Sequence, residues 1–282
     1  MTARKINSVG IVVKPGHAEA LATAAEVTAW LATHNIAQAG EPVSAMADAD
    51  DHTLSAADLI VVLGGDGTMI ATARMIDASD TFVLGVNYGG LGYLTDFRIE
   101  ELFPALEVII AGDYEVDRRV MLDAELHHDG AMAARGRVLN DVVINKAALA
   151  RIIEIEVKLN GLFVNAFRSD GLIVSTPTGS TAYNLSAGGP IIFPSMNAMV
   201  VTPICPFTLT NRPIVVPDTA EIELRLKHEN EGVVLTFDGQ TGFALTAGDR
   251  VVIRKSATTF NLVKPANRNY FDVLRNKLKW GR

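Results

Sequence analysis

The chain has 282 residues, 49% hydrophobic and 20% charged, with 23 glycines, 11 prolines and a single cysteine, Cys205. That length has room for about two domains, the apolar content excludes disorder for most of it, and one cysteine excludes an intramolecular disulfide or a cysteine-rich zinc site. A net charge of −7 argues against nucleic acid or an anionic membrane surface as a bulk partner.

Residues 8–13 (SVGIVV) read as a short buried strand closed by Pro15-Gly16. This apolar stretch is too short for a signal-peptide core, and no run approaches the roughly 18–20 residues of a membrane span, so a cytoplasmic protein is expected. From His17 to His34 the spacing predicts an amphipathic helix with Leu21, Ala24, Ala25, Thr28 and Leu31 on its buried face. Residues 58–63 (DLIVVL) form a second buried strand, 68–76 a helix, and 81–86 (TFVLGV) a third strand. A helix over 98–111 carries Leu102, Leu106, Ile109 and Ile110, and Gly112 ends it. Buried apolar strands alternating with helices predict an open parallel α/β sheet.

Near residue 113 the period changes to two. Val116, Val120, Leu122, Ala124 and Leu126 alternate, as do Ile153, Ile155, Val157 and Leu159, followed by the hairpin signal Asn160-Gly161. Ile222-Leu224-Leu226, Val233-Leu235-Phe237 and Val251-Ile253 continue the pattern, so the second half is mostly antiparallel β. A last helix over 270–280 places Phe271, Leu274 and Leu278 on one face and Lys and Arg on the other.

The glycines cluster. Gly64-Gly65-Asp66-Gly67-Thr68 joins a buried strand to a helix start, where backbone N–H groups can approach an anion and Asp66 sits at the carboxyl end of a parallel strand. The residues suit a polyphosphate cradle with an aspartate aimed at a hydroxyl or a metal; the plainer reading is a tight turn in which Asp66 caps the helix. No Lys follows, so this is not a P-loop. A second cluster, Asn87 to Thr95 (NYGGLGYLT), leaves the adjacent strand and is expected to face the first. The third, residues 169–190, runs from a strand into a loop with seven hydroxyl side chains between Ser175 and Ser186. These could bond ribose, an adenine edge or phosphate, and Tyr183 could pack on a ring.

Asn140-Asp141 lies inside an apolar run and either caps a bulge or faces a site. Asp238-Gly239-Gln240 reads as a hairpin turn, Arg151 and Arg168 as phosphate partners or plain surface residues. Cys205, flanked by Pro203, Ile204, Pro206 and Phe207, is expected in the core rather than as a nucleophile. The six histidines show no metal-ligand spacing.

Taken in order, GGDGT at 64–68, NxGxLGxLT at 87–95, ND at 140–141, SDGLIVSTPTGSTAYNLSAGGPI at 169–191, FDGQ at 237–240 and YFDVLRNKLKW at 270–280 make the chain resemble the NAD kinase family. GGDG alone is shared with diacylglycerol, sphingosine and phosphofructokinases; the third block is far more specific. The resemblance implies an α/β-plus-β fold. Its parts would be an N-terminal open α/β nucleotide-binding domain over 1–112, an antiparallel β-sandwich-like NAD-binding domain over 113–266, and a C-terminal helix (267–282) packing back on the first domain. NAD would lie between the domains, in a homodimer or homotetramer whose neighbouring subunit completes the site.

The implied reaction moves the γ-phosphoryl of ATP to the 2′-hydroxyl of the adenosine ribose of NAD, with Mg²⁺ or another divalent cation. On the matching positions, Asp66 would be the general base and Gly64, Gly65 and Gly67 would cradle phosphates. Asn140, Asp141, Asp170, Thr181, Ala182, Tyr183, Asn184, Leu185 and Ser186 would hold NAD, with Gln240, Arg151 and Arg168 as further contacts. Asp141 stands where many members have Glu and Tyr93 where Phe is usual; Arg168 resembles members that prefer NAD over NADH and ATP over polyphosphate. Two other readings are a lipid kinase, which would need a membrane-facing patch, and a dinucleotide sensor, which would have little use for Asp66.

Overall fold

The computed structural model describes residues 4–46, 54, 56–76, 80–90, 92–147, 151–228, 232–265 and 269–280. Its elements begin with β1 (Ser8–Val13), α1 (Ala18–Thr33), β2 (Ala37–Gln38), β3 (Val43–Ser44), β4 (Leu59–Leu63), α2 (Asp66–Arg74), β5 (Phe82–Asn87), β6 (Phe97–Arg98) and α3 (Leu102–Ile110). Strands then follow in series: β7 (Glu115–His128), β8 (Ala131–Val138), β9 (Asp141–Lys146), β10 (Ile153–Leu159), β11 (Leu162–Ser169) and β12 (Gly171–Ser175). After the short α4 (Tyr183–Ser186) come β13 (Ala198–Ile204), β14 (Ile214–Pro217), β15 (Ile222–Leu226), β16 (Val233–Phe237), β17 (Thr241–Ala244), β18 (Arg250–Lys264) and α5 (Tyr270–Leu278). The chain divides into two compact units, Met1–Arg118 with Phe260–Arg282, and Arg119–Thr259.

In the first unit the pairings of β1 with β2, β3 and β4, of β4 with β5, of β5 with β6, and of the end of β18 with β5 are parallel. Strands covered by helices on both faces read as unbroken apolar runs, and all five residues of β4 are buried. Gly85 leaves room on β5 for α2, because a Cβ there would lie 2.8 Å from the Met69 sulfur. Helix α1 buries Ala20, Thr23, Ala24, Val27 and Leu31. Ala24 and Leu31 were expected on that face, but Leu21, Ala25 and Thr28 are exposed. In so alanine-rich a helix the apolar contrast around the circumference is too small to set the phase. Helix α3 buries Leu102, Leu106 and Ile109 as expected, and Gly112 stops it in the left-handed region at φ +86°. Helix α5 buries Leu274 alone; Phe271, expected beside it, is exposed.

The second unit is antiparallel. One sheet contains β11-β10-β15 with the first part of β18 and the β7–β8 pair, and the other runs β14-β13-β12-β9-β16-β17. Inward residues of both, among them Ile155, Leu224, Ile144 and Val174, share one core, as the two-residue period requires. The Asn160-Gly161 turn has φ of +50° and +78°, the twist that a two-residue hairpin needs. Cys205 corrects its expectation. It is exposed, with φ +44°, because β13 ends at Ile204 and the chain turns outward at the next residue. Among the described residues no helix is long and apolar enough to cross a membrane. An α/β N-terminal part, an antiparallel β part and a C-terminal helix are the architecture expected from the sequence.

Candidate active site

The first unit's site is built where β4 and β5 end. Gly65, extended at φ −99° and ψ −168°, is the N-cap of α2, and its carbonyl accepts the N–H groups of Thr68 and Met69. Asp66 is therefore the first helical residue, and it does not cap its own helix. Its carboxylate turns to the second glycine loop instead. Oδ2 accepts the Tyr93 N–H at 2.9 Å, and Oδ1 accepts the Leu94 N–H at 3.0 Å and the Thr95 hydroxyl at 3.3 Å. A carboxylate offers about four lone-pair directions, so among the described residues one, on Oδ2, is left over for a further donor.

The loop that holds Asp66 is itself tied down. Asn87 donates to the Gly90 carbonyl at 2.7 Å and to the Thr95 hydroxyl oxygen at 3.2 Å, and accepts the Gly89 N–H. A Cβ at Gly92 would collide with the Asp66 carboxylate and Thr95 Oγ1, so the third glycine of this loop is needed for that approach. Leu91 lies outside the described residues. Gly64 departs from its expected role as a phosphate donor: its N–H is spent on the Val86 carbonyl at 2.9 Å. What Gly64 provides is space, since a Cβ there would strike the Thr68 side chain. Gly65 and Gly67, by contrast, flank Asp66 at the helix start, and Gly67 is exposed.

In the second unit Asn140-Asp141 does face a built feature. The Asp238 carboxylate accepts three successive N–H groups, from Leu139 at 2.9 Å, Asn140 at 2.7 Å and Asp141 at 3.0 Å. The hairpin reading of 238–240 also holds: Asp238 and Gly239 have φ of +52° and +63°, between β16 and β17. Asp141 is buried, 5% exposed. Burial first, and then the neighbouring charge of Asp238, push its carboxyl up to about 7.

The hydroxyl-rich loop packs on the same backbone. Thr176 donates to the Leu139 carbonyl at 2.6 Å and accepts the Gly179 N–H, and Ser175 bonds the Asn140 carbonyl. A Cβ on Gly179 would overlap the Asn140 backbone. Ser180 is wholly buried and bonds the Pro177 carbonyl at 2.6 Å. These hydroxyls, expected to meet a ligand, instead knit the loop, because buried backbone carbonyls need donors. Asn184 is a second correction. It is fully buried, donating to the Ser180 and Pro190 carbonyls and accepting from Thr202 at 2.6 Å, so its amide is a brace and offers nothing outward. Thr181, Ala182 and Leu185 are half-buried, and Tyr183 and Ser186 are exposed around α4.

The other end of β9 adds two residues that the sequence reading passed over. Lys146 approaches the Asp170 carboxylate at 3.4 Å, and Asn145 lies 3.5 Å from the Tyr183 hydroxyl. The signal was present, since both close the same apolar run that Asn140-Asp141 opens. Arg168 is exposed and lies over the ring of Phe207, 5.0 Å from its centroid. Arg151 is exposed ahead of β10, and no described contact joins it to the other candidates. Gln240 is exposed beyond the Asp238 turn.

The anchored Asp66 carboxylate lies at a helix start beside the carboxyl ends of parallel strands, where open α/β sheets bind their ligands. Two family models match the sequence, the ATP-NAD kinase N-terminal domain over residues 44–114 and the ATP-NAD kinase C-terminal domain over 139–265. Curated relatives include NAD kinase of Geotalea daltonii, 46% identical over 98% of this chain and 99% of that protein. Another is NAD kinase of Citrifermentans bemidjiense, 48% identical over 98% and 99%. Among solved structures, an NAD kinase from Archaeoglobus fulgidus in complex with ATP superposes with a TM-score of 0.74 at 25% identity, covering 96% of this chain and 98% of that one. Yeast NADH kinase complexed with NADH shares the fold, with a TM-score of 0.84 at 23% identity over 99% and 89%. The chain belongs to the NAD kinase family.

Proposed function

We propose that the protein transfers the γ-phosphoryl of ATP to the 2′-hydroxyl of the adenosine ribose of NAD, with Asp66 as the general base. The observation that carries this is the Asp66 carboxylate, fixed by Tyr93, Leu94 and Thr95 with one acceptor direction on Oδ2 unused. In the reaction the ribose oxygen bonds to the γ-phosphorus, the bond from that phosphorus to the β-bridging oxygen breaks, ADP leaves, and the hydroxyl proton passes to Asp66. A carboxylate is far too weak a base to form an alkoxide beforehand, so proton transfer accompanies phosphoryl transfer and positioning does most of the work. Gly65 and Gly67 would face the donor phosphates, while Asn140, Asp141, Asp170, Thr181, Ala182, Tyr183 and Ser186 would bind NAD.

Among the described residues no group of three or more His, Cys, Asp or Glu could hold a metal. That donor set suits a Mg²⁺ ion carried in on the triphosphate with its own water, rather than one in a protein cage. Such an ion would neutralise phosphate charge. A homo-oligomer is supported by family membership and by the exposed apolar residues Leu162 and Phe163 of β11, 74% and 63% exposed; a cytoplasmic location is supported by composition. Incubation with ATP, Mg²⁺ and NAD is expected to form NADP. Asp66→Asn should lower kcat by about 10²–10⁴-fold while NAD binding measured by calorimetry is retained. Unchanged turnover in that variant would remove Asp66 as the base.

A further inference from the structure

An acidic chain must still attract a donor carrying several negative charges, and the amides at one helix start supply only partial positive charge. Helix α5 presents Arg275 and Lys277 in its last turn. Their situations differ. Arg275 is paired with Asp272 on its own helix. Lys277 has no carboxylate partner among the described residues, and its Nζ lies 5.8 Å from the centroid of the Tyr93 ring, within the range of a cation–π contact. Tyr93 is the residue whose N–H holds Asp66 Oδ2, so the carboxylate and the ammonium flank a single residue of the loop. The Tyr93 phenol is pushed up, by burial first and then by the charge of Asp66, which places the ring within the field of that carboxylate.

We infer that Lys277 is the cationic contact for the phosphates of the nucleoside triphosphate donor, with the Tyr93 ring as its resting place when no donor is bound. The inference rests on the kinase reading above and adds the donor subsite to it. An ammonium held on an aromatic face keeps its charge without the desolvation of a buried ion pair, and it can swing to a stronger partner at little cost. A cation locked to a carboxylate, as Arg275 is, would have to break that pair first.

Steady-state kinetics of Lys277→Ala, Lys277→Arg and Tyr93→Leu tests this against wild type in the same assay. Lys277→Ala is expected to raise KM for MgATP by about 10–100-fold, the loss of a charge-assisted contact, with KM for NAD and the thermal midpoint unchanged. Lys277→Arg should recover most of the loss. Tyr93→Leu keeps the backbone N–H to Asp66 and removes a contact made only in the donor-free state, so it should leave KM for MgATP unchanged or lower it up to severalfold in the wild-type background, and have no effect in Lys277→Ala. An ATP KM within twofold of wild type in Lys277→Ala, with or without a lower thermal midpoint, would make Lys277 a packing residue only and overturn the inference. An equal rise in both KM values, or an Arg variant as impaired as Ala, would do the same. Wild-type protein that forms no NADP would instead overturn the kinase reading itself.

Discussion

Each unit carries one aspartate at the heart of its glycine-lined loops, and the two are built in opposite ways. Asp66 is half-exposed and receives three hydrogen bonds on its own carboxylate. Asp141 is buried, and the neighbouring Asp238 spends its carboxylate on backbone N–H groups, that of Asp141 included, while adding a negative charge nearby. Donors around the first group fix where its carboxylate points. Burial and a like charge around the second keep its proton on up to about pH 7, so that it can itself donate to a ligand oxygen. The same side chain is thus half-exposed and held by donors in one place, and buried beside a like charge in the other.

The largest change to this contrast should come from Asp238→Ala, which orphans the N–H groups of Leu139, Asn140 and Asp141. Urea unfolding should show a loss of about 2–4 kcal/mol, and a variant as stable as wild type would mean that water replaces the carboxylate. Asp238→Asn keeps an acceptor oxygen and should cost less, while leaving Asp141 still raised, because burial is the larger cause.

Next in size is a pH effect. The Asp141 carboxyl goes from an ordinary value of 3.8 in the unfolded chain to about 7 in the folded one. Between those values the folded state binds more protons, so its contribution is full below pH 3.8 and is lost as the pH rises toward 7. Over those roughly three pH units the loss should be about 4 kcal/mol at most. Asp141→Asn should flatten the slope between pH 4.5 and 8; an unchanged slope would assign it to another group.

The smallest effect is expected at Thr95, wholly buried beneath Asp66. Thr95→Val deletes the longest of the three bonds to that carboxylate and should lower kcat about three- to tenfold, with Thr95→Ser close to wild type. A loss as large as that of Asp66→Asn would show that the loop, rather than the carboxylate, sets the rate.

The sequence by itself determined the parallel and antiparallel halves, because a run such as residues 59–63 and an alternation such as Ile153, Ile155 and Val157 are direct imprints of two-sided and one-sided burial. It also located the three loops, since glycines at close approaches and the strand-to-helix turn are local requirements. Side-chain roles inside those loops were not legible, because they depend on partners distant in sequence. Only the folded structure turned Asp66 from a possible cap into a carboxylate held by residues 27 to 29 positions further on. It also turned Asn184 and the Ser175, Thr176 and Ser180 hydroxyls inward, and made Asp238 a clamp on residues 139–141. A buried polar group takes the nearest unsatisfied backbone partner, and which partner is nearest is decided by the packing of strands rather than by the order of residues.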